Sequence, residues 1–152
     1  MNNEATFSGF LADFGVSSVF SGRKAHWFNN RLFFVSEDQE RLLEHMPSFG
    51  VQGAGIYAGR IKKKQFSPSL ALVDALAAES DARICVDEKA GWLFICGRDL
   101  FRDSLPSHGL SKGARVFIVN KHDDVLGYGM IDEQGGVQNM LDKGDYLRRE
   151  MG

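Results

Sequence analysis

The sequence is most constrained in one stretch of its last third, where two apolar segments flank a short polar one. Ala114–Asn120 and Val125–Ile131 each have the length of a buried strand, and the intervening KHDD suits a hairpin turn. Gly127 and Gly129 alternate with larger residues in the second segment. Because successive side chains of a strand point to opposite faces, these glycines leave one face bare, and another backbone can approach it closely. The pattern predicts a small, strongly curved β-structure.

Composition favours one or two small domains. The chain has 152 residues, of which 43% are apolar, and its net charge is −2, so any nucleic-acid binding has to come from a local basic patch. Cys85 and Cys96 lie inside apolar runs, which predicts buried, reduced thiols and neither a disulfide framework nor a zinc site. The sequence has no apolar run of membrane-spanning length and no basic leader, so we expect a soluble, intracellular protein.

The first third predicts a helix, a hairpin and a second helix. Residues Ala5–Phe20 carry apolar side chains at spacings of three and four, which indicates a helix over the first part of the segment; they are Phe7, Phe10, Leu11, Phe14 and Val19. We expect this helix to end near Gly15. Ala25–Phe28 and Arg31–Val35, separated by two asparagines, predict a β-hairpin. A capping box at Ser36 begins the next helix. The residues expected on its buried side are Leu42, Leu43 and Met46.

The most basic segment of the chain follows a strand predicted at Ile56–Ala58. Its four cations lie within five residues and are Arg60, Lys62, Lys63 and Lys64. With Tyr57 and Phe66 on either side, the segment has the composition of a nucleic-acid contact, in which cations bind phosphates and rings stack on bases. A solvated loop explains the same run, and the residues alone leave both interpretations open. Ser67 and Pro68 then predict the cap and first residue of a helix.

The remaining segments complete an α+β chain. Ala82–Val86 and Trp92–Cys96 predict two strands around a turn, and Asp99–Leu105 predicts a short helix. The residues of this helix expected to face inward are Leu100, Phe101 and Leu105. We expect an N-terminal α/β domain with a mainly antiparallel sheet over residues 1–96. A small β pseudo-barrel over residues 97–152 follows it.

The last third resembles a known RNA-binding module. The stretch GLSKGARVFIV, followed by DVLGYGM, is similar to the core of PUA domains, small pseudo-barrels that occur in pseudouridine synthases and archaeosine transglycosylases. That core combines a lysine-glycine turn, an apolar strand, an acidic turn and a strand with spaced glycines. The resemblance implies that residues 97–152 form a PUA-like RNA-binding domain.

Four stretches in order resemble the NIP-seven family of large-subunit ribosome-biogenesis factors. They are NNRLFFVS, YAGRIKKKQF, WLFICGRDLF and GDYLRRE, and the resemblance covers roughly residues 25–150. The short tail after Arg149 looks more like archaeal members of the family than eukaryotic ones.

This resemblance implies a non-enzymatic, monomeric protein without a cofactor. In the family, the N-terminal domain mediates contacts and the PUA domain binds single-stranded, uridine-rich RNA. Its eukaryotic members act in pre-rRNA processing with other ribosome assembly proteins. We therefore expect pre-rRNA and assembly proteins as partners. The expected location is cytoplasmic for an archaeal-like protein and nucleolar for a eukaryotic one.

The RNA site of the family corresponds here to Arg148 and Arg149, and it can extend to Lys143, Lys112 or Arg115. Arginine suits this task because its planar guanidinium binds phosphate bidentately and stacks on bases. The two arginines have a second interpretation, since cations at a helix C-terminus complement the helix dipole.

Two other function classes compete with RNA binding. A protein-interaction adaptor would dock its partner on an aromatic surface around Phe7, Phe10 and Trp27, with the PUA-like unit structural. An enzyme would need a nucleophile–base pair or a metal cluster, and the sequence lacks HExxH, GxSxG and CxxC motifs. The histidines available to such a site are His26, His45, His108 and His122. We predict no catalytic residue and no metal site.

Overall fold

The structure is a computed structural model that describes residues 2–46, 51, 53–145 and 148. It confirms the predicted α+β class. The chain forms two compact units, Met1–Glu79 and Ser80–Gly152. This division falls before the boundary predicted after residue 96, because residues 83–94 pair with and pack on the sheet of the second unit. In the part of the chain that the structure describes, no helix is long and apolar enough to cross a membrane.

The first unit is built on an antiparallel sheet. Its described elements are α1 (Asn3–Asp13), β1 (Lys24–Phe28), β2 (Arg31–Val35), α2 (Glu37–Glu44), β3 (Ile56–Lys62), β4 (Gln65–Pro68) and α3 (Leu70–Glu79). The strands lie in the order β1-β2-β3-β4, and each pairs antiparallel with its neighbour. Sequence neighbours are therefore also neighbours in space.

Local signals explain where these elements begin and end. The chain leaves α1 at Gly15, which has a φ of +70° that favours glycine. Asn29 adopts a φ of +59° in the predicted hairpin between β1 and β2. Ser36 and Gln39 form the predicted capping box, with backbone-to-side-chain hydrogen bonds of 3.2 and 2.9 Å. All three predictions are confirmed.

The core of the first unit is aromatic. The ring of Phe7 on α1 lies 5.0 Å from Phe66 and 6.0 Å from Phe34, both on the inner face of the sheet. Phe10 and Trp27 are half-buried, with their rings 5.1 and 6.5 Å from Phe66. The predicted docking surface is therefore wrong for Phe7, which is buried, and stays a prediction for Phe10 and Trp27, which are partly exposed.

The second unit contains a mixed sheet. Its described elements are β5 (Arg83–Cys85), α4 (Glu88–Ile95), a 3₁₀ helix (Arg102–Ser104), β6 (Arg115–Val119), β7 (Val125–Ile131) and β8 (Val137–Asp142). The strands lie in the order β5-β6-β7-β8, with β5 parallel to β6 and the other pairs antiparallel. The core on one face includes Phe94, Leu100, Ile118 and Ile131.

The glycines of β7 are needed for close backbone approach, as the sequence predicts. A Cβ on Gly127, where φ is +149°, would lie 2.0 Å from the carbonyl oxygen of Leu141. A Cβ on Gly129 would lie 2.5 Å from the carbonyl oxygen of Gln138. Both distances are far shorter than van der Waals contact. β8 can therefore pair this closely with β7 only because Gly127 and Gly129 have no side chain.

The strand predicted at Trp92–Cys96 is wrong, because this segment belongs to α4. Asp87 caps the helix by accepting the N–H of Ala90 at 2.8 Å. Ala90 and Phe94 are buried, while Trp92 is 67% exposed. A short continuous apolar run fits a strand and a helix equally well, so periodicity alone does not separate the two.

Two predicted helix bounds also need correction. Ser67 and Pro68 end β4, and the cap of α3 is Ser69, whose Oγ accepts the N–H of Leu72 at 3.1 Å. Within the segment predicted as a helix from Asp99, the structure has only the 3₁₀ turn, and Phe101 is 78% exposed.

Several predicted buried side chains are exposed. Helix α2 has no buried residue; Leu42 on the helix and Met46, two residues after its end, are both exposed. Cys85 and Cys96 are free thiols as predicted, but both are exposed, because they lie at the end of β5 and at the C-cap of α4.

We expect Gly127→Ala to lower the free energy of unfolding by roughly 3 kcal/mol, because the new methyl group overlaps the backbone of β8 and the φ is unfavourable. Urea unfolding followed by circular dichroism measures the change. Gly109→Ala is the matched control, since a Cβ there has nothing within 4 Å, and it should change stability by less than about 0.5 kcal/mol. Equal effects of both substitutions would contradict the close approach.

Candidate nucleic-acid interface

The basic segment forms the tip of the hairpin between β3 and β4. Arg60 and Lys62 lie on β3, while Lys63 and Lys64 are the two turn residues, with φ values of +50° and +65°. Two left-handed residues make the type I′ turn that fits the twist of a two-residue hairpin. All four side chains are exposed, and none makes a hydrogen bond or ion pair with another described residue. The structure therefore leaves these charges available to a ligand.

The two aromatic residues that flank this segment differ in accessibility. Tyr57 is 38% exposed. Phe66 is 8% exposed and lies in the aromatic core. The expectation that both rings are available to bases holds for Tyr57 and is wrong for Phe66, which pairs with Ile61 on the inner face of the sheet.

Arg148 is engaged inside the second unit. Its guanidinium donates to the carbonyl oxygen of Ile95 at 2.7 Å and to both carboxylate oxygens of Asp142 at 3.2 and 3.3 Å. The Asp142 side chain is only 5% exposed, whereas that of Arg148 is 47% exposed. A buried carboxylate needs a paired cation, so Arg148 has a structural task that the sequence motifs do not indicate.

The surroundings of Asp142 are closely packed. Its Oδ1 also accepts the N–H of Asp145 at 2.8 Å. A Cβ on Gly144 would lie 2.0 Å from the carbonyl oxygen of Ile95. These contacts fix the carboxylate at the point where the arginine meets it. Arg149, the other predicted RNA ligand of this segment, lies outside the described residues.

The other predicted cations of the second unit are partly engaged. Lys112 is exposed and forms an ion pair with Glu133 at 2.6 Å. Arg115 is half-buried and donates to the sulfur of Met130 at 2.7 Å. Lys143 is half-buried. An exposed ion pair contributes little free energy, so Lys112 can exchange its partner for a phosphate more easily than Arg148 can.

A cleft of about 610 Å³ lies in the second unit beside residues 102–112 and 131–135. His108 accepts the N–H of Leu110 at Nδ1, 3.3 Å away, which leaves Nε2 to donate to the carbonyl oxygen of Gly135 at 2.8 Å. The charged residues of the cleft have both signs and are Arg102, Asp103, Lys112, Asp132 and Glu133. Among the described residues, no group of histidine, cysteine and carboxylate side chains is arranged to hold a metal ion.

Further rings on the outer face of the first unit's sheet are not indicated by any motif. They are His26, Phe28 and Phe33, which lie beside Tyr57. The signal available in the sequence is the alternation along β1 and β2, which places Trp27 and Leu32 inward. Alternation alone does not bring rings of different strands together, because that requires the strand register.

Comparison with known families finds a match for the second unit. Residues 82–151 match the UPF0113 PUA domain family. The match begins at β5 and includes α4, in agreement with the extent of the second compact unit. The match agrees with the resemblance to PUA domains carried by the glycine-spaced strands, and it begins earlier in the chain than the predicted residue 97.

Similar proteins are found among archaeal sequences and structures. A UPF0113 protein of Archaeoglobus fulgidus is 31% identical over 109 residues, which cover 64% of this chain. The match spans 62% of that relative's length. A conserved PUA domain protein from Thermoplasma acidophilum has a similar structure, with a TM-score of 0.54 at 13% identity over 100% of this chain and 97% of that one. A hypothetical protein from Pyrococcus horikoshii OT3 has a TM-score of 0.49 at 17% identity over 86% and 79% of the two chains.

We expect Arg148→Ala to lower the free energy of unfolding by about 1–3 kcal/mol, because it leaves a buried carboxylate without its cation. Urea unfolding measures the loss. Arg98→Ala is the control, since Arg98 is exposed and its side chain has no partner among the described residues.

A double-mutant cycle with Asp142→Asn isolates the pair. The double variant should lose less stability than the sum of the two single variants, because neither charge is then left unpaired. Strict additivity would contradict the pairing of Arg148 with Asp142.

Proposed function

We propose that this protein is a non-enzymatic RNA-binding ribosome assembly factor that acts on large-subunit pre-rRNA. The observation that supports the proposal most is the match of residues 82–151 to a PUA domain, since PUA domains generally bind RNA. The resemblance of four stretches to the NIP-seven family supports the link to ribosome assembly and to single-stranded, uridine-rich RNA. Other ribosome assembly proteins are the proposed protein partners.

Lys112 and Arg149 are the main RNA contacts that we propose for the PUA domain. Lys112 has an exposed partner that a phosphate can replace, and Arg149 is carried over from the family's RNA site. Lys143 and Arg115 are secondary candidates because both are half-buried. Arg148 contributes through the N–H groups that Asp142 and Ile95 do not use, and its main role is to hold the end of the domain.

We expect the double variant Lys112→Gln, Arg149→Gln to weaken binding of a labelled uridine-rich oligonucleotide. If both residues contact phosphates, the slope of log K against log salt concentration should become shallower by about 1.4, at about 0.7 per contact. Fluorescence anisotropy of the full chain between about 50 and 200 mM salt measures both quantities.

The matched control is Lys89→Gln, Lys121→Gln, which removes two exposed charges of the same domain that have no partner among the described residues. It should leave the slope nearly unchanged. Equal losses of RNA affinity in the two double variants would show that Lys112 and Arg149 are not part of the RNA site.

A protein-interaction adaptor is the second candidate function, and a specific observation favours it. Trp92 and Phe101 of the second unit are 67% and 78% exposed, and aromatic side chains are enriched in protein–protein interfaces. On this account the protein would bind a ribosome assembly protein and would not retard any oligonucleotide at low salt. Retardation of single-stranded RNA by the purified chain favours the first proposal.

A further inference from the structure

The outer face of the first unit's sheet carries a row of rings that crosses three strands. His26 of β1 pairs in register with Phe33 of β2, and Phe33 pairs with Tyr57 of β3. The rings of Phe33 and Tyr57 are 5.2 Å apart, and Phe28 lies 5.5 Å from Phe33 and 5.8 Å from His26. These distances are within the usual range for interacting rings, so the four side chains form one row of ring contacts. Tyr57 is 38% exposed, whereas His26, Phe28 and Phe33 are half-buried, and a Cβ on Gly53 would lie 2.4 Å from the Phe33 ring. Tyr57 is therefore the most accessible ring of the row.

A row of cations lies next to this row of rings. Phe28 pairs with Arg31, and Arg31 pairs with Arg60, so the two arginines are on the same face as the rings. The guanidinium carbon of Arg31 is 5.8 Å from the centre of the Phe33 ring. Lys62, two residues beyond Arg60, continues the row towards the lysine turn.

A β-bulge puts Tyr57 and Arg60 on one face. They are three residues apart, and in a regular strand they would point to opposite faces. The register of β2 and β3 shifts between Leu32 and Phe33, which adds one residue to β3. Gly59 follows at a φ of +144°, where a Cβ would lie 2.3 Å from the carbonyl oxygen of Ser67. Bulges commonly re-aim side chains in this way at functional surfaces.

The charged residues of the four strands are all positive. None of the four strands contains an aspartate or glutamate, whereas β1, β2 and β3 contain lysine or arginine. Outside the strands, Glu40 of α2 forms an ion pair with Lys24 of β1 at 3.3 Å. The core does not need the outer rings, because Trp27, Leu32 and Phe34 fill the inner face.

We infer that this face is a second binding site, for single-stranded RNA, in which the exposed ring of Tyr57 stacks on a base and the half-buried rings of Phe33 and Phe28 extend the apolar surface beside it. The cations Arg60, Lys62, Lys63 and Lys64 bind phosphates beside them. The inference deepens the proposed function and rests on it for the choice of RNA. A duplex does not fit, because its bases are stacked inside and cannot reach the rings. An acidic peptide would account for the cations and leave the row of rings unexplained.

Fluorescence anisotropy of the full chain with a uridine-rich oligonucleotide of about a dozen nucleotides tests the stacking. Tyr57→Ala should weaken binding roughly 5- to 150-fold, the loss typical of one stacked base, while Tyr57→Phe keeps the ring and should bind almost normally. Phe101→Ala is the control for loss of an exposed ring elsewhere. Equal affinity of Tyr57→Ala and the parent protein would overturn the inference.

The charges are tested in the same assay. Arg60→Gln with Lys62→Gln should make the salt slope shallower by about 1.4, whereas Lys89→Gln with Lys121→Gln should not. Single-stranded RNA, single-stranded DNA and duplex RNA are compared as probes. Preference for single-stranded RNA supports the inference, and equal binding of the duplex would overturn it. Loss of self-association in Tyr57→Ala, measured by light scattering without loss of RNA binding, would show that the face binds a second copy instead.

Crosslinking separates this inference from the proposed function. Oligonucleotide containing 4-thiouridine is photocrosslinked to the full chain, and the modified peptides are identified by mass spectrometry. Crosslinks at Phe28, Phe33 or Tyr57 support the second site. Crosslinks confined to the PUA domain would overturn it and leave the proposed function intact. The absence of any RNA binding would overturn both.

Discussion

The fold of the second unit depends on the close approach of the backbones of β7 and β8 at Gly127 and Gly129. Because Gly127 has no Cβ, Leu141 can lie against it, and Asp142 pairs with it in register. This pairing places the Asp142 carboxylate in a buried position, where it needs a cation. Arg148 supplies the cation and at the same time satisfies the carbonyl oxygen at the end of α4. The close packing of β7 and β8 therefore explains why Arg148, a predicted RNA ligand, is bound to a carboxylate inside the second unit.

The predicted RNA-binding cations differ in whether they are paired. In the second unit, Arg148 binds Asp142 and Lys112 binds Glu133. In the first unit, the strands contain no acidic residue, and the cations at the tip of the β3–β4 hairpin have no partner among the described residues. The net charge of the whole chain is −2, yet the charged residues of the strands in the first unit are all positive. Such local separation of charge is what nucleic-acid binding requires.

The sequence predicts the parts of this structure that depend on local chemistry. The β1–β2 hairpin, the capping box at Ser36 and the bare face of β7 follow from residues close together in the chain. The sequence does not predict that α4 is a helix, because a continuous run of apolar residues shows neither the period of a helix nor that of a strand. The pairing of Arg148 with Ile95 joins residues 53 positions apart, and no local pattern reports such a contact. The row of rings requires both the register of three strands and the bulge in β3.

The central claim is that Arg148 serves the fold while exposed cations and rings elsewhere bind RNA. Titration of the ¹⁵N-labelled full chain with uridine-rich single-stranded RNA, followed by two-dimensional NMR, tests it most directly. The account predicts shifts at Phe33, Tyr57 and Lys63 and around Lys112, with the Arg148 Nε–H signal nearly unchanged. A large shift of the Arg148 signal without any change at Tyr57 would contradict it.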